Sequence, residues 1–204
     1  MKKHYFSYSL IFILLVTMVS GCSNSSIATI QVNSNSEHME TLEDLNLGVL
    51  FDFDFKLNEA DKTWVNIWIE KYEDGKKVDE PLEQLSYGLS INKVDEGNLL
   101  FGMINPDKEV RSIFLSAPNV STGPKIIENL KSPDSFEAWD YAIGDEKLEL
   151  KYGKTYLLAV YRQSKGSEVR TGYDYQNEQE LQDLINEHNI VCLLKIKLEE
   201  DKQY

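Results

Sequence analysis

Leu150-Lys151-Tyr152-Gly153-Lys154-Thr155-Tyr156-Leu157-Leu158-Ala159-Val160-Tyr161 sets a glycine turn in front of an apolar run. A short run rich in aromatic and branched residues, entered from a glycine, reads as a β-strand. Successive strand side chains point to opposite faces. Tyr156, Leu158 and Val160 are therefore expected inward, and Leu157, Ala159 and Tyr161 outward. The outward set is apolar as well, so this strand needs cover on both sides.

The chain beyond it supplies that cover. In the last apolar segment Cys192, Leu194, Ile196 and Leu198 alternate with Val191, Leu193, Lys195 and Lys197. Antiparallel pairing of the two strands would gather Ala159, Tyr161, Val191 and Leu193 into one outer patch, and bare apolar patches invite association. Between the strands, Asn177-Glu178-Gln179-Glu180 reads as a helix start with Asn in the cap position. Leu181, Leu184, Ile185 and His188 follow at i, i+3, i+4 and i+7, one helical face. This helix is expected to fold back on the patch and complete a second small core.

Upstream the pattern is again period two. Leu45, Leu47, Val49, Phe51, Phe53 and Phe55 alternate with polar residues that include Asp52 and Asp54. Trp64 to Tyr72 sets Val65, Ile67 and Ile69 against Trp64, Trp68 and Tyr72; the Trp pair is read as core packing. Leu85, Tyr87, Leu89 and Ile91 form another alternation, Leu99–Ile104 and Val110–Ser116 are short apolar runs, and 117–145 reads as loop with at most a helical turn. Many short strands separated by turn signals predict a sandwich or barrel.

The opening stretch also resembles the penultimate strand of fibronectin type III and related immunoglobulin-like domains, through Leu150, Gly153 and Tyr156 and the alternation after them. That resemblance implies a tyrosine corner, a buried ring whose hydroxyl bonds backbone across the sheet corner. The family often has proline where Tyr152 stands, and a plain strand after a glycine turn fits the same residues. The expected fold is mainly β: an immunoglobulin-like antiparallel β-sandwich with one helix inserted before the last strand. Such sandwiches host many functions and name none.

The N-terminus speaks to location. Lys2 and Lys3 precede the apolar Leu10–Val16 run, which is shorter than the roughly 20 residues a membrane helix needs and suits an export signal. Val19-Ser20-Gly21-Cys22 then resembles the lipobox of bacterial lipoproteins, which implies acylation of Cys22 as the new N-terminus. The expected organisation is a signal peptide over 1–21, lipidated Cys22 with a flexible Ser/Asn-rich tether over 22–41, and a β-sandwich domain over 42–204. The chain would then sit on the extracytoplasmic face of the cell membrane, held by the lipid on Cys22.

Composition narrows the partners. The net charge of −13 falls to −15 once residues 1–21 and their two lysines are removed. That disfavours nucleic acid, and it leaves membrane attachment to the lipid rather than to charge. With Cys22 acylated, Cys192 is alone and no disulfide framework forms. Cys192 reads as a buried, inert thiol. No residue is assigned a catalytic role: His38 lies in the tether and His188 on the helix, with no ligand cluster around either. No metal or cofactor is implied; Asp52 and Asp54 supply only a fraction of a calcium shell and read as a solvated face. The candidate partner surface is Arg170, Tyr173 and Tyr175, since loop tyrosines offer contact area at low entropic cost. The expected function is a non-enzymatic binding or accessory module of the cell envelope, with a possible envelope protein partner. A small-ligand or ion receptor is the alternative, and an envelope hydrolase ranks third.

Overall fold

The alternating segments form two antiparallel sheets in a computed structural model, which describes residues 26–104, 110–128, 135–164 and 170–201. Sheet A holds β1 (Ala28–Val32), β2 (Gly48–Leu57), β6 (Asp95–Ile104), β7 (Arg111–Ala117), β8 (Val120–Ser121), β9 (Lys125–Ile127) and β11 (Leu148–Leu150). Its order is β11-β1-β2-β6-β7-β8, with β9 also on β7. Sheet B runs β10 (Glu137–Tyr141), β12 (Thr155–Ser164), β13 (His188–Glu200), β3 (Thr63–Glu73) and β4 (Lys76–Lys77), with β5 (Glu83–Gly88) also on β3. The inner faces share one core. Phe51, Phe53, Phe55, Leu99, Phe101 and Ile113 enter it from sheet A, and Val65, Ile67, Ile69, Cys192, Leu194 and Ile196 from sheet B.

The helix before the last strand, α2 (Glu178–Glu187), covers the opposite side of sheet B. Its N-cap is Asn177, whose side chain accepts from the Gln179 and Glu180 amides. Leu184 and Ile185 pack with Val160, Val191, Leu193 and Ala142 in a separate small core, with Leu157, Leu181 and Tyr72 at its edge. A β-bulge between Leu157 and Ala159 changes the expected facing of β12. An extra residue in one strand reverses the alternation beyond it. Leu158, Ala159 and Tyr161 therefore enter the main core, and Val160 points out beneath the helix.

Other expectations need correction. The 117–145 segment is not loop throughout: β8 and β9 pair with β7, and β10 pairs with β12, because their backbone bonds are supplied by strands distant in sequence. Leu45 and Leu47 precede β2, and Leu89 and Ile91 follow β5, so these four continue no strand and are exposed. The flexible tether over 22–41 does not extend through the described part of that segment. Ala28–Val32 lie within sheet A, paired to β11 on one side and β2 on the other, and α1 (Glu37–Asp44) follows with Ser36 as its N-cap. Asp52 is not solvated: it is fully buried, accepting from Ser36 Oγ at 2.5 Å and Asn98 Nδ2 at 2.8 Å. Trp64 and Trp68 do not enter the core; they lie on the outer face of sheet B, and Trp64 is 40% exposed. The corner expected of Tyr156 is met in part: its hydroxyl accepts from the Lys151 amide at 3.1 Å, but that bond is exposed and the ring is only half-buried against the main core.

Candidate binding surface

The outer face of sheet B is read from its register. Outward residues of β3 and β13 pair as Tyr72 with Val191, Glu70 with Leu193, Trp68 with Lys195, Asn66 with Lys197 and Trp64 with Glu199. On the β12 side Val160 lies beside Leu193 and Leu157 beside Lys195; on the β5 side Gln84 lies beside Trp68 and Ser86 beside Asn66. The first two rows lie under α2 or at its edge. The remaining rows, from Trp68 to Trp64, carry no covering element among the described residues.

Glu70 marks the boundary. Its carboxylate meets Lys195 at 2.8 Å, Lys77 at 2.9 Å, the Trp68 indole at 3.1 Å and the Tyr72 hydroxyl at 3.1 Å. Burial alone would raise its pKa. The hydrogen bonds from Lys195, Trp68 and Lys77 outweigh burial and bring it down to about 2. Tyr72 is pushed up to about 12 by burial and by the Glu70 charge. Below this knot the face is polar and aromatic together: Asn66 Nδ2 donates to Glu199, Ser86 donates to Asn66, and Lys197 pairs with Glu199 at 2.7 Å. Side chains held by neighbours lose less freedom when a partner arrives.

Where β12 borders this face, a half-open cleft of about 610 Å³ begins at Leu157. It is lined by Lys147, Lys154, Tyr156, Tyr175 and Gln176, among others.

The three residues expected to form a partner surface come together, but as packing. Tyr173 is 6% exposed, with the Arg162 guanidinium 5.4 Å and the Arg170 guanidinium 4.5 Å from its ring centre. Its hydroxyl donates to Glu187 at 2.7 Å. Burial and the Glu187 hydrogen bond push it up to about 12. Tyr175 Oη accepts from Arg162 at 3.0 Å, and the Arg170 carbonyl accepts from the same guanidinium at 3.1 Å. Arg162 is fully buried and also bonds Asp140. A second buried arginine, Arg111, crosses between the sheets to Glu137 at 2.5 Å and the Tyr161 hydroxyl at 2.7 Å. Of the predicted trio, Arg170 alone is exposed. Cys22 lies outside the described residues.

Cys192 is buried, and burial pushes its thiol up to about 12. His188 caps α2, its Nδ1 2.8 Å from the Leu184 carbonyl. Among the described residues no three His, Cys, Asp or Glu side chains are placed to hold a metal, and no helix is long and apolar enough to cross a membrane.

A family model described as the YgaN domain matches residues 31–198. The chain belongs to the YgaN domain family. The matched YgaN region opens inside β1 and closes inside β13, so it takes in α1, both sheets and α2. It begins upstream of residue 42, in agreement with the strand and helix found where a tether was expected. No curated protein and no solved structure matches the chain.

The residues of the bare YgaN face that sequence reading passed over are Asn66, Gln84, Lys195 and Lys197. The signal was present in the last strand. Its outward positions change from Val191 and Leu193 to Lys195 and Lys197, which marks where the helix cover ends.

Proposed function

We propose that the chain is a lipoprotein acylated on Cys22, held on the extracytoplasmic face of the cell membrane, and that it serves as a non-enzymatic module binding another envelope protein. The observation that supports binding is the uncovered half of sheet B. It is an open face with Trp68 and Trp64 set among Asn66, Lys195, Lys197 and Glu199. Aromatic side chains are enriched at the centre of protein interfaces, and their rims are polar and solvent-accessible. Small-molecule sites are concave and bury most of their ligand, and no described element walls in this face. The immunoglobulin-like character of the sandwich belongs to the same proposal; the hydrogen bond from the Lys151 amide to Tyr156 supports it.

The test places a photo-crosslinking residue at Gln84, outward on β5 beside Trp68, and a control at Glu96, exposed on the outer face of sheet A. A discrete protein adduct from position 84, missing from 96, is the expected outcome. Equal patterns from both positions would defeat the reading. The anchor is tested separately by mass: an acyl-modified N-terminal Cys22 is expected, and a mature chain starting elsewhere would remove it.

The cleft beside Leu157 favours a second reading, a small-ligand receptor. Its lining of two tyrosines, Gln176, Lys147 and Lys154 suits a polar molecule with an apolar face. Loss of binding on Tyr175→Ala with the position-84 adduct retained would select this reading.

A further inference from the structure

One end of the domain collects the described residues nearest the proposed anchor together with exposed aliphatic side chains. Ala28 pairs with Leu57, Leu57 with Asp95, and Trp64 with Gly88, so β1, β2, β3, β5 and β6 all have a terminus there. The start of the described chain is fastened at this end: the Asn58 amide donates to the Ile27 carbonyl at 2.8 Å, and Asn58 Nδ2 to the Ser26 carbonyl at 2.7 Å.

The loop from Leu89 to Val94 projects from the same end. Ile91 is 100% exposed, Val94 44% and Leu89 41%, with Trp64 beside the loop's root at Gly88. The loop is held in place. Leu89 and Ser90 donate backbone bonds to Thr63 and Ala60, Lys93 accepts one from Ala60, and Ser90 Oγ bonds Asp95. Leu89 has φ +52°, a left-handed conformation unfavourable for a bulky residue. The backbone is thus fixed in a shape that leaves three aliphatic side chains in water.

We propose that this loop is a second membrane contact, dipping Leu89, Ile91 and Val94 into the lipid interface beside the acyl anchor. The proposal rests on acylation of Cys22. Four residue steps separate Cys22 from Ser26, so the fastened end stays within about 14 Å of the acylated residue. That leash is too short for the opposite end to face the bilayer. Apolar side chains at a fixed loop tip gain by entering the headgroup boundary, and Trp64 is of the type enriched at that level. Lys62 and Lys93 are outnumbered at this end by Glu59, Asp61, Glu200 and Asp201, so the contact is apolar and draws nothing from anionic lipid.

The test uses the full, processed chain reconstituted in phosphatidylcholine vesicles. Ile91→Cys carries an environment-sensitive dye, with Lys76→Cys as control. Lys76 is exposed beside the β3–β4 turn, at the other end of β3. With Cys22 acylation verified by mass, nitroxide-bearing lipid should quench dye at 91 several-fold more than dye at 76. Iodide should do the reverse. Replacing half the lipid by phosphatidylglycerol should not raise the lipid quenching at 91. Iodide quenching both positions equally in an acylated sample would overturn the second contact and leave the anchor standing. Protection at 91 without lipid quenching would overturn it in favour of a protein seated on the loop. A chain without acyl groups would overturn the anchor, and the orientation with it.

Discussion

The outer face of sheet B has two halves built by the same strands, and only one is covered. Under α2, the outward residues are Val160, Val191 and Leu193, with Tyr72 and Leu157 at the edge. A few ångströms along the same strands they become Asn66, Trp68, Lys195 and Lys197, and no described element lies over them. The inward residues do not change character across the boundary: Ile67, Ile69, Leu194 and Ile196 are all buried. The difference therefore lies in one side of the sheet. It shows that apolar residues on the outer side mark where the helix must dock. The polar and aromatic half needs no cover to be stable, which leaves it free to meet a partner.

The strongest way to break this contrast is Leu184→Asp. Leu184 is fully buried between α2 and the sheet. A carboxylate there should cost about 4 kcal/mol or more, read as loss of the thermal transition or as oligomers in size-exclusion chromatography. A variant with unchanged melting would mean that the covered half does not depend on its helix.

Arg162→Leu comes next. The guanidinium is buried and ties Asp140, Tyr175 and the Arg170 carbonyl to the sheet beside α2. Removing it leaves Asp140 without this partner, at a cost of about 3 kcal/mol by urea denaturation. Protection of the 170–176 backbone from hydrogen exchange should fall before that of β13.

Glu70→Gln probes the boundary and has a defined pH dependence. Glu70 is held at about 2 when folded, against an ordinary 4.5, so its charge stabilises the folded state above pH 4.5. That contribution is lost as pH falls from 4.5 through 2. The variant should be less stable by about 2 kcal/mol at pH 7, and the gap to the parent should narrow steadily across that window in urea melts. A gap constant with pH would assign the effect to packing.

The smallest effect is expected from Lys197→Ser on the bare half. Its ion pair with Glu199 is partly exposed, and stability should move by less than about 0.5 kcal/mol. The adduct formed from position 84 should nevertheless weaken. A large stability loss with unchanged crosslinking would exchange the roles given to the two halves.

Much of this division was legible in the residues. The spacing of Leu181, Leu184 and Ile185 pointed to a helix over Val191 and Leu193, and the structure places it there. Leu150, Gly153 and Tyr156 pointed to a buried corner tyrosine; the backbone bond forms, but at the surface and from a half-buried ring. What escaped reading has non-local causes. The bulge at Leu157/Ala159 exchanges the faces of Val160 and Tyr161, and it is set by pairing with β13 rather than by its own residues. Asp52 looks like a surface carboxylate until Ser36 and Asn98, from distant segments, supply its hydrogen bonds. Ala28, Ile30 and Val32 do alternate, but five residues among serines and asparagines are too few to stand out as a strand without their partners. Arg111 and Arg162 are buried because Glu137, Tyr161, Asp140 and Tyr175 meet them in three dimensions.

The position of β1 also sets an order of events during synthesis. Ala28 has Leu57 on one side and Leu150 on the other, so β1 has one edge open until Leu150 has been made. The same holds for β3, whose long edge waits for β13, more than 110 residues further along the chain. Pairings so distant in sequence form slowly, and open strand edges are templates for wrong associations meanwhile. A chain stopped before residue 188 would lack the strand that joins β12 to β3. Sheet B would be left as separate ribbons, each with an unpaired edge, whatever the stability of sheet A.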